Sequence, residues 1–259
     1  MKNNIKYISN ILKKVTSTLI DFIYPENISC IICNSQISKN NTYSMCKTCF
    51  NEMNFILDGC IKCGKPIIYH SLEKQDISGC GSCFNKTFYF DKSISCIEYN
   101  NISKKLILDF KYKRKTYMSK YIANIMKEKL EIENIKFDCI LYVPLHKKRL
   151  KKRGFNQSEK IAIKLGNIIS KPSYDALIRK KNTKPLYKLN KEQRQDTLKN
   201  IFEIKNNIEV KNKNILLLDD IFTTGSTVNE ISKLLKLEGA NKIYVMTLLT
   251  RSNDAYVKA

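Results

Sequence analysis

Tryptophan is absent from the 259 residues, and glycine is scarce at eight. Lysine, asparagine and isoleucine are abundant instead, a bias that carries no functional information. Carboxylates are few: 24 acidic residues stand against 46 basic ones, for a formal net charge of +22. Part of that excess is solvated lysine on helix faces. The rest attracts polyanions and points to nucleic acid or a phosphorylated small molecule as partner. Long apolar runs are missing as well. Ile5, Ile8, Leu12, Val15 and Leu19 recur at spacings of three and four and predict an amphipathic helix over 1–25. Lys13 and Lys14 break that run, so neither a signal peptide nor a membrane span fits. A cytoplasmic chain with reduced thiols is expected. Hydrophobic residues still make up 43%, enough for an ordinary core and against global disorder.

Eight of the ten cysteines fall before residue 88, and the pattern then changes. This separates a cysteine-rich module over 26–88 from a larger domain over 89–259. In the latter, strand-like runs at 93–99, 139–144, 214–220 and 242–249 alternate with helical ones at 104–112, 120–130, 156–169 and 227–237. Strands of continuous apolar character separated by helices predict an α/β fold, a parallel sheet with helices on both faces. Residues 180–200 are polar and lysine-rich, long for a passive connection, and expected to form a lid.

The cysteines form four C-x-x-C pairs, Cys30/Cys33, Cys46/Cys49, Cys60/Cys63 and Cys80/Cys83. Two thiolates two residues apart grip one zinc ion on a tight turn, and two such pairs complete a tetrahedron, so eight ligands suit two structural Zn2+ ions. A segment with so few large apolar residues needs such a staple. Sequential pairing, first with second and third with fourth, gives two zinc ribbons in tandem, and the spacing does not exclude a cross-braced arrangement of first with third. Disulfides are disfavoured by the compartment, and thioredoxin-like chemistry uses one pair, not four. Cys96 and Cys139, in apolar strands, are expected core thiols.

The most informative stretch is 215–227, ILLLDDIFTTGST. A strand delivers Asp219 and Asp220; the turn Thr223, Thr224, Gly225, Ser226 and Thr227 follows, and then a helix. Gly225 permits close backbone approach to a ligand. The N–H groups of the turn converge at the positive end of a helix, a ready site for a phosphate monoester. Carboxylates beside it can accept hydrogen bonds from sugar hydroxyls, so a ribose 5-phosphate unit suits both halves. No lysine follows Gly225, which excludes a Walker loop there, and the three spaced glycines of a dinucleotide fingerprint are missing.

DDIFTTGST is similar to the phosphoribosyl pyrophosphate (PRPP) motif of type I phosphoribosyltransferases. Residues 143–162, VPLHKKRLKKRGFNQSEKIA, closely resemble the signature of the ComF family of DNA-uptake proteins, as does the DFIYP run at 21–25 before the first cysteine pair. The resemblance covers nearly the whole chain. Where the family shows a glutamine and an asparagine, this chain carries Leu186 and Thr197. The resemblance implies a double zinc ribbon over 26–88 and a type I phosphoribosyltransferase domain over 89–259. It implies that Asp219 and Asp220 hold the ribose of PRPP and serve catalysis, and that 223–227 hold its 5-phosphate. Lys147, Lys148, Arg149 and Arg153 are placed to meet the pyrophosphate, with Mg2+, or to contact DNA. Lys184 and Arg194 belong to the expected lid. Implied partners are PRPP, single-stranded DNA and competence helicase or recombination-mediator proteins. Two readings stand at this point: a working phosphoribosyltransferase, or a non-catalytic adaptor that binds PRPP or single-stranded DNA.

Overall fold

The computed structural model describes residues 28–67, 80–83, 86–181, 201–205 and 208–251. The expected helix over 1–25, the DFIYP run, and Lys184 and Arg194 lie outside the described residues. The chain divides into two compact units between Glu52 and Met53.

In the first unit the Cys30 carbonyl accepts from the Asn34 amide at 2.9 Å, closing a knuckle, and Ser29 bridges Gln36. A 3-10 turn at Thr42–Ser44 leads to the short helix α1, Lys47–Asn51. The Cys46 sulfur caps α1 by accepting from the Cys49 amide. Ile31, Ile32 and Met45 are buried with Cys30 and Cys49, a core too small to hold a fold by itself.

The second unit is built on strands β1 (Lys92–Glu98), β2 (Cys139–Tyr142), β3 (Ser173–Tyr174), β6 (Ile215–Phe222) and β7 (Ile243–Thr250). They form one sheet in the order β1-β7-β6-β2-β3, every pairing parallel. Strands β4 (Leu177–Arg179) and β5 (Phe202–Ile204) form a separate antiparallel pair. The helices are α2 (Asn101–Tyr112), α3 (Met118–Glu133), α4 (Lys147–Arg153), α5 (Gln157–Ile168) and α6 (Ser226–Leu237).

Residues 215–218 are all fully buried, as expected of a central strand covered on both faces. Helices α3 and α5 pack on each other, and α5 packs on β2 and β6. On the alternate side chains Leu141, Ile215, Leu217 and Val245 meet Val228, Ile231 and Leu235 of α6 and Leu177 and Phe202 of the β4–β5 pair. Local chemistry sets the ends. Asn100 and Ser103 form a capping box at the start of α2, and Gly239, at φ 83, ends α6 in the left-handed region. Cys96 and Cys139 are buried core thiols, and burial pushes Cys96 up to about 12.

Residues 54–62 lie along the outer edge of β1. Phe55 bridges Ile97; the Ile56 amide donates to the Cys96 carbonyl and the Glu98 amide to the Asn54 carbonyl, each at 2.9 Å. The Ser93 amide donates to Lys62 O at 3.1 Å. The basic run at 147–153, assigned no element from the sequence, is a helix. His146 caps its start and Gly154, at φ 88, its end. Strands β3, β4 and β5 were not expected, and β6 continues through both aspartates to Phe222.

Candidate functional site

The acid pair and the turn lie where β6 meets α6. Asp219, Ile221, Phe222 and residues 223–228 line one open hollow. Gly225 has φ 77, a left-handed conformation. A Cβ there would lie 2.6 Å from Phe222 Cζ, so glycine is required twice, for backbone and for space. Gly225, at the N-cap of α6, has no side chain to cap it, and the Thr224 hydroxyl accepts from the Ser226 amide only at 3.4 Å, whereas asparagines cap α2 and α5. The first turn of α6 therefore keeps its positive end open to the hollow. Thr224 Oγ1 and Ser226 Oγ lie 2.8 Å apart on its rim, and Thr223 is exposed.

The two acids are held differently. Asp219 Oδ1 accepts from the Asp220 amide at 2.8 Å and from Ser158 Oγ at 3.3 Å. Burial, and then the neighbouring Asp220 charge, push the Asp219 carboxyl up to about 7, against the pull of the Asp220 amide, Lys111 and Ser158. Asp220 instead pairs with Lys111, at the end of α2, at 2.7 Å. A sugar hydroxyl at Asp220 must share that carboxylate with an ammonium already on it.

The RGFNQS run explains the scaffold behind the acids. Gly154 ends α4, and Phe155 packs on Phe110 at 5.6 Å between ring centroids. Asn156 caps α5 through the Ser158 amide and donates to the Val143 carbonyl at 3.0 Å. It thus ties the loop after β2 to the helix that carries Ser158. Arg153 lies 5.2 Å from the Tyr112 ring centre and donates to Gln157 Oε1. Lys147 and Lys148 are exposed; Arg149 is partly buried.

Lys111, Ser158 and Arg179 were not singled out by the sequence. Arg179, on β4, is 8% exposed and lies 5.5 Å from the Phe202 ring centre. Burial and then Arg149 push its guanidinium down to about 10, while Asp219 pulls it up. The signal was a lone arginine in a three-residue strand, which has no readable period.

The eight paired cysteines fall into two groups, Cys30, Cys33, Cys46 and Cys49, and Cys60, Cys63, Cys80 and Cys83, with the sulfurs of each within 4.8 Å of one another. Pairing is therefore sequential, and the cross-braced alternative is excluded. Cys33 and Cys46 sulfurs lie 3.7 Å apart; in the second group Cys60–Cys83, Cys63–Cys80 and Cys80–Cys83 lie 3.7, 3.6 and 3.8 Å apart. An ion about 2.3 Å from four sulfurs at tetrahedral corners requires edges of about 3.8 Å. Both groups fit zinc on that measure. Gly64 shapes the second knuckle: its φ is 69, and a Cβ there would meet the Ser93 carbonyl oxygen at 2.5 Å.

Known proteins match the chain in two parts. A double zinc ribbon domain model matches residues 19–84, and a phosphoribosyl transferase domain model matches residues 150–259. Competence protein F of Haemophilus influenzae is 29% identical over 233 residues, covering 86% of this chain and 96% of its own. Competence protein ComFC of Bacillus subtilis is 26% identical over 222 residues, covering 81% and 89%. Among solved structures, glutamine PRPP amidotransferase from B. subtilis overlays 54% of this chain and 30% of its own at TM-score 0.38 and 16% identity.

Proposed function

Because this chain belongs to the ComF-like family of competence proteins, with an N-terminal double zinc ribbon and a C-terminal phosphoribosyltransferase domain, we propose that it binds PRPP at the β6–α6 turn and transfers its phosphoribosyl group in the service of DNA uptake. The carrying observation is the uncapped helix start of α6, closed underneath by Phe222 and flanked by Asp219.

In this reading residues 223–227 receive the 5-phosphate through backbone N–H groups and hydroxyls. Asp219 and Asp220 accept hydrogen bonds from the 2′ and 3′ hydroxyls. The anomeric C–O bond breaks, and pyrophosphate leaves with the electron pair as the acceptor's lone pair arrives. The transition state carries oxocarbenium character, so the work of the chain is positioning, charge neutralisation and exclusion of water. Arg149 and Arg179 supply positive charge near Asp219 for the departing pyrophosphate. Lys147 and Lys148, exposed on α4, would add positive charge for the same leaving group. Carboxylate oxygens are suitable donors for Mg2+, which Asp219 would help to hold and which would offset charge on the leaving group.

Calorimetry with PRPP and Mg2+ tests the reading. Wild-type protein gives saturable heat, and the double variant Asp219→Asn/Asp220→Asn gives at least tenfold weaker binding, about 1.4 kcal/mol. Equal affinity in both ends the proposal.

The second reading is a non-catalytic adaptor for single-stranded DNA and for helicase or recombination-mediator proteins. It is favoured by the exposed Lys147, Lys148, Lys151 and Lys152 on α4 and by the net charge of +22. Affinity for single-stranded DNA then falls steeply with salt, and a flat salt titration removes it.

A further inference from the structure

The second cysteine cluster and the phosphate turn are far apart in sequence, yet one apolar body joins them. Cys60, Cys63 and Cys83 share a buried cluster with Phe90, Phe222 and Val228. Phe88 stacks on Phe90 with ring centroids 4.6 Å apart. Phe90 meets Phe222 edge to face at 6.2 Å and 82°. The Phe222 ring lies directly against Gly225, with no room for even a methyl group between them.

A polar link runs beside this line of rings. The Tyr89 amide donates to Asn229 Oδ1 at 2.7 Å, and the Asn229 amide donates to the Gly225 carbonyl at 2.8 Å. Lys233, one turn further along α6, lies 5.7 Å from the Tyr89 ring centre. Residues 88–90 therefore hold both the floor of the turn and the first turn of its helix. Asp91 ties their far end to Ile243, and on their apolar side they pack in the cluster that holds Cys60, Cys63 and Cys83. A cluster this small depends on its metal for shape, because four converging sulfurs, three of them buried, repel one another as thiolates unless a cation sits between them.

We propose that the metal-bound second cluster sets the shape of the phosphate turn through the Phe88–Phe90–Phe222 strut and the Tyr89–Asn229 bond, which makes Phe90 and Asn229 positioning residues for that turn. The first cluster belongs to the other compact unit and supplies the control. The functional meaning of the strut rests on reading residues 223–227 as a 5-phosphate site; its existence does not.

Hydrogen exchange read by mass spectrometry on the full chain, without ligand, is the test. In Cys80→Ser, peptides over 221–230 exchange about tenfold faster than in wild type. In Phe90→Leu and Asn229→Ala the same peptides speed up while elemental analysis still finds two zinc ions per chain. In Cys46→Ser they exchange at the wild-type rate. Where Cys80→Ser unfolds outright by circular dichroism, Phe90→Leu and Asn229→Ala decide, since both leave the ligands intact. Wild-type exchange at 221–230 in those two variants overturns the strut, and so does an equal loosening in Cys46→Ser. If the turn loosens as expected in the variants but the wild-type protein binds no PRPP in calorimetry, the phosphate reading is refuted and the strut stands.

Discussion

Replacing Gly225 by alanine separates two demands that the turn places on one residue. The backbone demand is the left-handed φ of 77, which costs an L-residue about 1–2 kcal/mol. The steric demand is the Phe222 ring, with atoms 2.6 and 2.9 Å from an ideal Cβ. Phe222 is 3% exposed and is braced by Phe90, so the ring moves aside only by disturbing its buried neighbours. Forcing it aside resembles overpacking a core, about 1–3 kcal/mol. Alanine also restricts the unfolded chain, which returns about 0.4–1 kcal/mol. The net expectation is a loss of about 2–4 kcal/mol. Gly154→Ala is the matched comparison: its φ is 88, and no atom lies within 4 Å of the added Cβ, so only the backbone cost applies, about 1 kcal/mol net. Urea unfolding followed by far-ultraviolet circular dichroism reads both variants, a suitable probe for a chain without tryptophan. Adding Phe222→Leu should recover part of the loss in Gly225→Ala and none of that in Gly154→Ala. Equal losses in the two glycine variants, or no coupling to position 222, would refute the argument that the ring confines the turn.

Three further outcomes follow from individual contacts. Because Asp219 is held up to about 7, mainly by burial, the folded chain keeps a proton there that the unfolded chain has released. Its contribution to stability is complete below the ordinary carboxylate range and is lost as pH rises through about 7. Asp219→Asn should therefore raise the thermal midpoint at about pH 8 and change it little at about pH 4; the reverse order would be inconsistent with a desolvated acid. Lys111→Met strands Asp220, whose pair is only 14% and 17% exposed, and should cost about 1–3 kcal/mol in urea unfolding, with Asp220→Asn restoring most of it. Gly64→Ala forces a Cβ against the Ser93 backbone, which cannot yield as a side chain can. Elemental analysis should fall from about two zinc ions per chain to about one, and an unchanged metal content would show that the knuckle tolerates the strain.

Much of this was legible in the sequence because its signals are local. Residues 215–218 are apolar without a break, and the strand they form is buried on both faces. The acid pair, Gly225 and the start of α6 follow as the run DDIFTTGST implies. The four C-x-x-C pairs announced two metal sites, but only the fold could choose between sequential and cross-braced pairing. Helix α4 was hidden because KKRLKKR has one apolar residue and no amphipathic period; its capping by His146 and Gly154 defines it instead. Strands β4 and β5 are three residues each and lie more than twenty residues apart, too short for an alternation to register. Lys111 on Asp220, Ser158 on Asp219 and Arg179 near Asp219 join residues forty or more positions apart. No spacing rule reports such long-range neighbours.

The backbone bonds from residues 54–62 to the outer side of β1 have a practical consequence for anyone dividing the chain. A fragment cut at residue 89 would begin just before β1 and would bare the row of amides and carbonyls that Asn54, Ile56 and Lys62 now occupy. A naked parallel-sheet border of that kind invites self-association. The fragment should precipitate or form oligomers on size-exclusion chromatography, whereas one starting at Met53 keeps its border sheathed and should elute as a dispersed species.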